Sequence, residues 1–310
     1  MQTMTFTLSL VRVPHRSNRE EGDGANEPKI EHKSVMVKEV VEALSPLKGE
    51  IIIDATYGQG GHTAALKKSG AKVISIDADP SAEADVTGNF GDLEKILKKN
   101  LPIGRRVDKI VFDLGWNRGQ LASGRGFSFI RDEPLLMSYG KKPRSGFFAK
   151  DVLNLWSERA IADALYGYGE ERYARIIAKV VIARRDRKPF LTTLELVEVI
   201  RDAVPPRYRH QKLHFATKTF QALRIAVNDE LKVLEQGLRV AWKLLACGGR
   251  IATITFHSVE DRVVKNLFRE FKPSGRLIYK KPLAPSAREI KENPSARSAK
   301  LRSIEKTCKH

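Results

Sequence analysis

The sequence predicts an α/β protein with a doubly wound, mostly parallel sheet and an inserted all-helical domain. Three observations predict it. Short apolar runs such as Ile51–Ile53 and Val73–Ile76 are continuous rather than alternating, as in strands covered on both faces. These runs alternate with helical segments, the signature of a layered α/β arrangement. Residues 141–213 then show helical segments and no convincing strand, so they interrupt the pattern instead of extending it.

Each element has a local reason. SVMVKEVVEALSPL reads as a helix with Val37, Val40, Val41 and Leu44 on one face, ended by Pro46. GEIIIDATYGQGGH is a buried strand running into a Gly-rich turn, and TAALKKSG is a helix stopped by Gly70. AKVISIDADP and DKIVFDLG are the next strands. Within the insertion, DVLNLWSERAIADALYGYG, EERYARIIAKVVIARRDR and TTLELVEVIRDAV are helical. The α/β pattern resumes with one long helix, ATKTFQALRIAVNDELKVLEQGLRVAWKLL, and the strand GGRIATITFHS. RLIYKKPLAP and ARSAKLRSIEK read as two more strands, an antiparallel edge pair. The expected organisation is an extension over 1–30, an α/β domain over 31–140 and 214–310, and the helical insertion over 141–213.

Composition narrows the function classes. The chain has 310 residues, with 55 Lys+Arg against 37 Asp+Glu and a net charge of +18. So basic a chain is expected to meet a polyanion, nucleic acid first. The excess is uneven: residues 141–219 hold 17 basic and 9 acidic residues, net +8, and residues 271–310 hold 11 and 3, again net +8. The remainder is close to neutral, which fits a small-molecule site flanked by surfaces that grip a polyanion. No window approaches the ~18 apolar residues of a membrane span. Two cysteines are too few for a disulfide framework or a thiolate metal cluster, so a reducing, cytoplasmic setting is expected. Residues 1–19 contain Arg12, Arg16 and Arg19 and no acid, a composition shared with transit peptides, although a bare extension is the preferred reading.

The chemistry concentrates at strand ends. Asp54 to His62, DATYGQGGH, lies between a strand and a helix, where glycines let a ligand approach the backbone. A dinucleotide fingerprint needs a third glycine where this chain has Thr63. Asp77 ends the next strand, where an acid accepts hydrogen bonds from ribose hydroxyls. Together the two acids suit an adenosine ligand with a positive sulfonium better than an anionic pyrophosphate. Asp113 ends DKIVFDLG at the sheet's carboxyl edge, where open α/β sheets bind ligands. The aromatic run Phe127–Phe129 reads as core on its own. The seven histidines show no metal-ligand spacing with the cysteines.

Taken together, HKSVMVKEVVEAL, DATYGQGGH, IDADP, GNF, DLG with Gln120, GRGFSFIRDEPL, YGEERYARIIAKVV, ATKTFQALRIAVNDEL, GGRIATITFHSVEDRVVK and NPSARSAKLRSIEK resemble the bacterial small-subunit rRNA cytosine-N4 methyltransferases, the RsmH or MraW family. The ordered match runs from about His32 to Lys306. The resemblance implies a class I (Rossmann-like) methyltransferase fold that uses S-adenosyl-L-methionine. The implied substrate is the N4 of a cytidine in the decoding region of 16S rRNA, on the small ribosomal subunit, with a homodimer as an allowed assembly. It implies cofactor contacts at Gly60, Gly61, His62, Asp77, Phe90, Asp113 and Gln120; His62, Phe90 and Gln120 rest on it alone. No catalytic side chain and no metal are assigned. His257, in TFHSVEDR, is as well read as a structural histidine at a strand end. Backbone carbonyls near Asp113–Asn117 are expected to accept the N4 protons, and the 127–129 run could stack on a splayed base.

The chain departs from the family pattern in three places. Only Ser81–Thr87 separates IDADP from GNF, Asn117-Arg118-Gly119-Gln120 replaces a Ser-Ser-Pro-Gln run, and Leu136 stands where the family has an acid. A degenerate fold that binds rRNA or cofactor without turnover is the alternative. A DNA amino-methylase lacks its Asn/Ser/Asp-Pro-Pro-aromatic motif here, and an NAD enzyme lacks its third glycine.

Overall fold

The protein is represented by a computed structural model that describes residues 34–115 and 123–308. The N-terminal extension, Asn117–Gln120 and the carbonyls of residues 116 and 117 lie outside the described residues.

Seven strands form one sheet in the order β3-β2-β1-β4-β5-β7-β6. They are β1 (Ile51–Asp54), β2 (Lys72–Asp77), β3 (Val86–Thr87), β4 (Val107–Asp113), β5 (Leu245–Thr255), β6 (Gly275–Leu277) and β7 (Lys300–Lys306). The pairs β1–β2, β1–β4, β2–β3 and β4–β5 are parallel, whereas β7 runs antiparallel to β5 and β6. The strand order reverses between β1 and β4, so their carboxyl ends splay into the crevice where doubly wound sheets bind ligands.

Both faces of the sheet are covered, which is why its strands read as unbroken apolar runs. Ile53, Ile110 and Phe112 pack on one face with α3 (Leu93–Asn100) and α10 (Glu230–Leu244). Ile52, Val111 and Ile254 pack on the other with α1 (Val37–Leu44) and α2 (Gly61–Lys67). Each fully buried Ile or Phe contributes about 1.5–3 kcal/mol over exposure. The short helix α3 has no counterpart in the sequence reading, because LEKILKKN shows only two core-facing leucines, Leu93 and Leu97.

Between β4 and β5 the chain forms α4 (Ala149–Leu155), α5 (Glu158–Gly169), α6 (Ala174–Arg185), α7 (Thr193–Ala203) and α8 (Pro206–Arg209), followed by α9 (Thr217–Asn228). They share a separate apolar core containing Ile161, Ile177, Val181, Leu196 and Phe220. That core also draws on Phe127, Leu135 and Met137 before the helices, and on Leu223 and Val227 of α9.

Two helices read as continuous are broken. DVLNLWSERAIADALYGYG divides at Trp156–Ser157, because the Ser157 hydroxyl accepts the Ala160 N–H and starts α5. The long helix after residue 216 divides at Asp229, which adopts φ 55° between α9 and α10. There the buried Asn228 side chain accepts the Tyr139 N–H and donates to Met137 O and Arg224 O. Asp tolerates the left-handed conformation better than most residues, so the break costs little. The edge pair is antiparallel, but β6 has three residues and the KKPLAP segment contributes only a bridge from Leu283 to Leu301. Cys247, on β5, and Cys308, after β7, lie side by side with Cα atoms 5.6 Å apart.

Candidate active site

A cavity of roughly 670 Å³ opens at the carboxyl ends of β1, β2, β4 and β5, within the usual size range for small-molecule sites. Its wall has two parts: strand-end loops on one side, and on the other the segment around Phe127–Tyr139 with α9, α10 and the start of α11 (Ser258–Phe271).

The strand-end part is built from local turns. Asp77 uses one carboxylate oxygen to accept the Gly58 N–H at 2.8 Å and the other to accept the Asp79 N–H at 2.8 Å. It thus pins the Gly-rich turn to the end of β2, and burial pushes its pKa up. Asp54 is fully buried and accepts from the Thr63 hydroxyl at 2.7 Å, with its pKa also raised by burial. It braces the first turn of α2 and does not line the cavity. Asp113 N–H donates to Thr56 Oγ1 at 2.6 Å, and Asp113 Oδ2 lies 3.2 Å from His62 Nε2. Burial pulls the His62 pKa down, but the Asp113 carboxylate and the nearby Asp54 outweigh it and the net shift is upward. His62 Nδ1 is buried without a hydrogen-bond partner.

The second crossover is reduced to a stub that still delivers its side chain. Val86 and Thr87 pair with Ile76 and Asp77, and the Asp85 carboxylate holds Ser75 by both its N–H and its hydroxyl. Gly88 N–H then donates to Asp77 O at 2.7 Å. The chain turns through Asn89, and Phe90 reaches the cavity with its ring edge-on to Phe112 at 5.5 Å.

The structure therefore gathers four of the sequence-predicted residues, His62, Asp77, Phe90 and Asp113, on one wall. Gly60 and Gly61 stand behind it, while Gly58 and Gln59 are the turn residues that reach the cavity. Gly60 adopts φ 77°, and a Cβ there would meet the Tyr57 ring at 2.7 Å. A Cβ on Gly61 would lie 2.1 Å from Ser34 Oγ. Both glycines let the turn pack; neither forms the wall. Gln120 lies outside the described residues.

The other part of the wall is a charge network that the sequence reading missed. Arg224, on α9, forms a fork with Glu230, on α10, with Nε to Oε1 at 2.8 Å and Nη2 to Oε2 at 2.9 Å. Tyr139 donates its hydroxyl to Glu230 Oε1 at 2.9 Å. Burial, with Glu230 beside it, holds the Tyr139 hydroxyl protonated well above its ordinary range. Glu230, His257 and Glu260 bring potential ligand atoms within 4.8 Å of one another. Because the Arg224 guanidinium already neutralises Glu230, the trio is a hydrogen-bonded charge network rather than a cation cradle. The aromatic run divides: Phe127 is buried and stacked on Tyr139, whereas the half-buried Phe129 stacks on His214 at 4.5 Å.

Comparison with known proteins decides the family. Residues 29–307 match the MraW methylase family. The chain belongs to that family. MraW relatives extend over most of it: a protein named ribosomal RNA small subunit methyltransferase H from Sulfurihydrogenibium sp. is 42% identical over 291 residues, covering 88% of this chain and 98% of that one. A protein of the same name from Rhodospirillum centenum is 42% identical over 310 residues, covering 89% and 92%. Among solved structures, an rRNA methylase from Streptococcus thermophilus aligns with a TM-score of 0.39 at 11% identity, covering 88% of this chain and 94% of that one. The mixed sheet and this membership make the fold that of a class I methyltransferase, as the sequence predicted.

Proposed function

We propose that this MraW-family chain is an S-adenosyl-L-methionine-dependent methyltransferase of small-subunit rRNA, and that its acceptor is the N4 of a cytidine in the decoding region. The observation that carries the reading is the two-part cavity: nucleoside-compatible acids at strand ends face an enclosed aromatic and carboxylate wall.

The residues present fit the cofactor. Asp77, at the end of β2, keeps free lone pairs on both oxygens beyond its two backbone bonds, as pairing with two ribose hydroxyls requires. The Phe90 ring offers an apolar wall for adenine. His62 and Asp113 meet beside Thr56, where the donor end would lie against the carboxyl edge of β4. When bound, S-adenosylmethionine supplies a methyl group already attached to a good leaving group. The chain's task is then alignment, and orientation alone can supply roughly 7–11 kcal/mol. Phe127, Phe129 and Tyr139 enclose the opposite side, where an unpaired base can be held flat. The helical block 141–213 is the substrate-recognition domain in this reading. Lys141, Lys142, Arg207 and Lys212 are exposed and available for phosphates. Arg184 and Lys188, by contrast, are engaged with Glu195. The small ribosomal subunit is the partner and the cytoplasm the setting. Among the described residues no helix is long and apolar enough to cross a membrane.

The test is direct. Incubate the protein with labelled S-adenosylmethionine and small subunits lacking the modification, then map the methyl group by nuclease digestion and mass spectrometry. N4-methylcytidine at one decoding-region position is expected. Cofactor binding without transfer would favour the binding-only alternative.

A further inference from the structure

The geometry points to Glu260 Oε1 as the group that reads the N4 amine of the target cytosine and then takes its proton, with His257 as its positioning residue. This rests on the function proposed above. Glu260 and His257 form the capping box at the start of α11, but the box uses only half of each side chain. Glu260 Oε2 accepts the Phe256 N–H at 2.9 Å and the His257 N–H at 3.4 Å, while His257 Nδ1 accepts the Glu260 N–H at 3.3 Å. With Nδ1 accepting, the neutral ring carries its hydrogen on Nε2. Nε2 lies 2.9 Å from Glu260 Oε1 but out of line with the N–H, so the ring nitrogen has no hydrogen bond. Oε1, on a side chain only 5% exposed, likewise has no hydrogen bond among the described residues.

Capping a helix does not require this second pair of atoms, and their place is informative. Phe256 lies against Gly115, where a Cβ would meet its ring at 2.7 Å, and β4 and β5 pair Asp113 with Ile254. Glu260 is tied to Phe256 through the Phe256 N–H, and Glu260, Phe256 and Gly115 all line the cavity. The neighbouring carboxylate, Glu230, already accepts three hydrogen bonds from Arg224 and Tyr139, whereas both of the capping-box bonds to Glu260 fall on Oε2 and leave Oε1 for a ligand. A carboxylate opposite N4 accepts a hydrogen bond from the cytosine amine and repels the O4 of uracil. In the reaction the N4 lone pair forms the bond to the methyl carbon as the methyl–sulfur pair leaves with sulfur. N4, then positive with two hydrogens and the methyl, gives one proton to Glu260 Oε1, which passes it to water.

Glu260→Gln tests this cleanly, because the amide oxygen still caps α11. The expected result is kcat lower by about 10²-fold and a raised KM for the subunit, with the melting temperature and cofactor Kd unchanged. Competition binding supplies a second readout. Wild type should prefer a subunit with C at the target over one with U by roughly 5–150-fold, and Glu260→Gln should lose most of that preference. His257→Asn, which also keeps the cap, should lower kcat less and leave KM unchanged. Wild-type kcat and unchanged C-over-U preference in Glu260→Gln would overturn the assignment. So would activity lost to a chelator and restored by a divalent cation, since the trio would then hold metal. Absence of transfer by wild type would instead refute the proposed function itself.

Discussion

The two walls of the cavity are built by different means. The strand-end wall comes from short sequence-local turns, in which each acid sits at the end of a strand and holds a loop a few residues away. Asp77 with Asp79, and Asp113 two residues before Gly115, are of this kind. The opposite wall is assembled from side chains far apart in sequence: Tyr139, Arg224, Glu230 and Glu260 meet because three helices and a loop converge. Burial also acts differently on the two. On the first wall burial raises the pKa of a single carboxyl, Asp77; on the second the carboxylate Glu230 is held by a guanidinium fork. The first wall should therefore tolerate change in its helices, whereas the second depends on long-range packing.

The largest predicted effect breaks the second wall. Arg224→Met leaves the half-buried Glu230 carboxylate with only the Tyr139 hydroxyl as partner, and should lower unfolding stability by about 3 kcal/mol, read as a urea midpoint shift. Arg224→Met with Glu230→Leu should recover most of that loss, and failure to recover it would mean the fork contributes mainly through other partners. Next comes Phe90→Ala on the first wall, predicted to weaken cofactor binding by roughly 10-fold, the size of one lost aromatic contact, while leaving RNA affinity intact in a filter-binding assay.

The contrast also explains what could be read in advance. The turn at Gly58–His62 and the acids at 77 and 113 were legible because a strand end, a glycine run and an acid lie within one short window. The break at Asp229 was not, because it depends on Asn228 bonding to Met137, 91 residues away. Glu230 reads as a residue inside one long helix and Glu260 is not singled out, and it is their shared neighbour Arg224 that brings them into the site. Phe90 was reached through resemblance alone, since nothing in GNF announces that a two-residue strand would still deliver it to the cavity.

Smaller effects sharpen the comparison within the helical block. Glu195 caps α7 through the N–H groups of Leu191 and Thr192 and pairs with Lys188, so that despite partial burial its pKa is lowered to about 2. The depressed value means that its stabilisation is full above the ordinary 4.5 and is lost as pH falls toward about 2. Glu195→Gln should therefore cost roughly 1 kcal/mol at neutral pH and nothing below pH 2, measured by urea unfolding across pH. The exposed Arg262–Glu170 pair joins α11 to the end of α5. Arg262→Ala should change stability by less than about 1 kcal/mol.

The division of labour between the walls is tested most directly by one titration, cofactor Kd for wild type, Asp77→Ala and Glu260→Gln measured side by side. The predicted result is binding weaker by roughly 10²-fold in Asp77→Ala, the loss of hydrogen bonds to a charged group, and unchanged in Glu260→Gln. Unchanged binding in Asp77→Ala, or a loss confined to Glu260→Gln, would contradict the account.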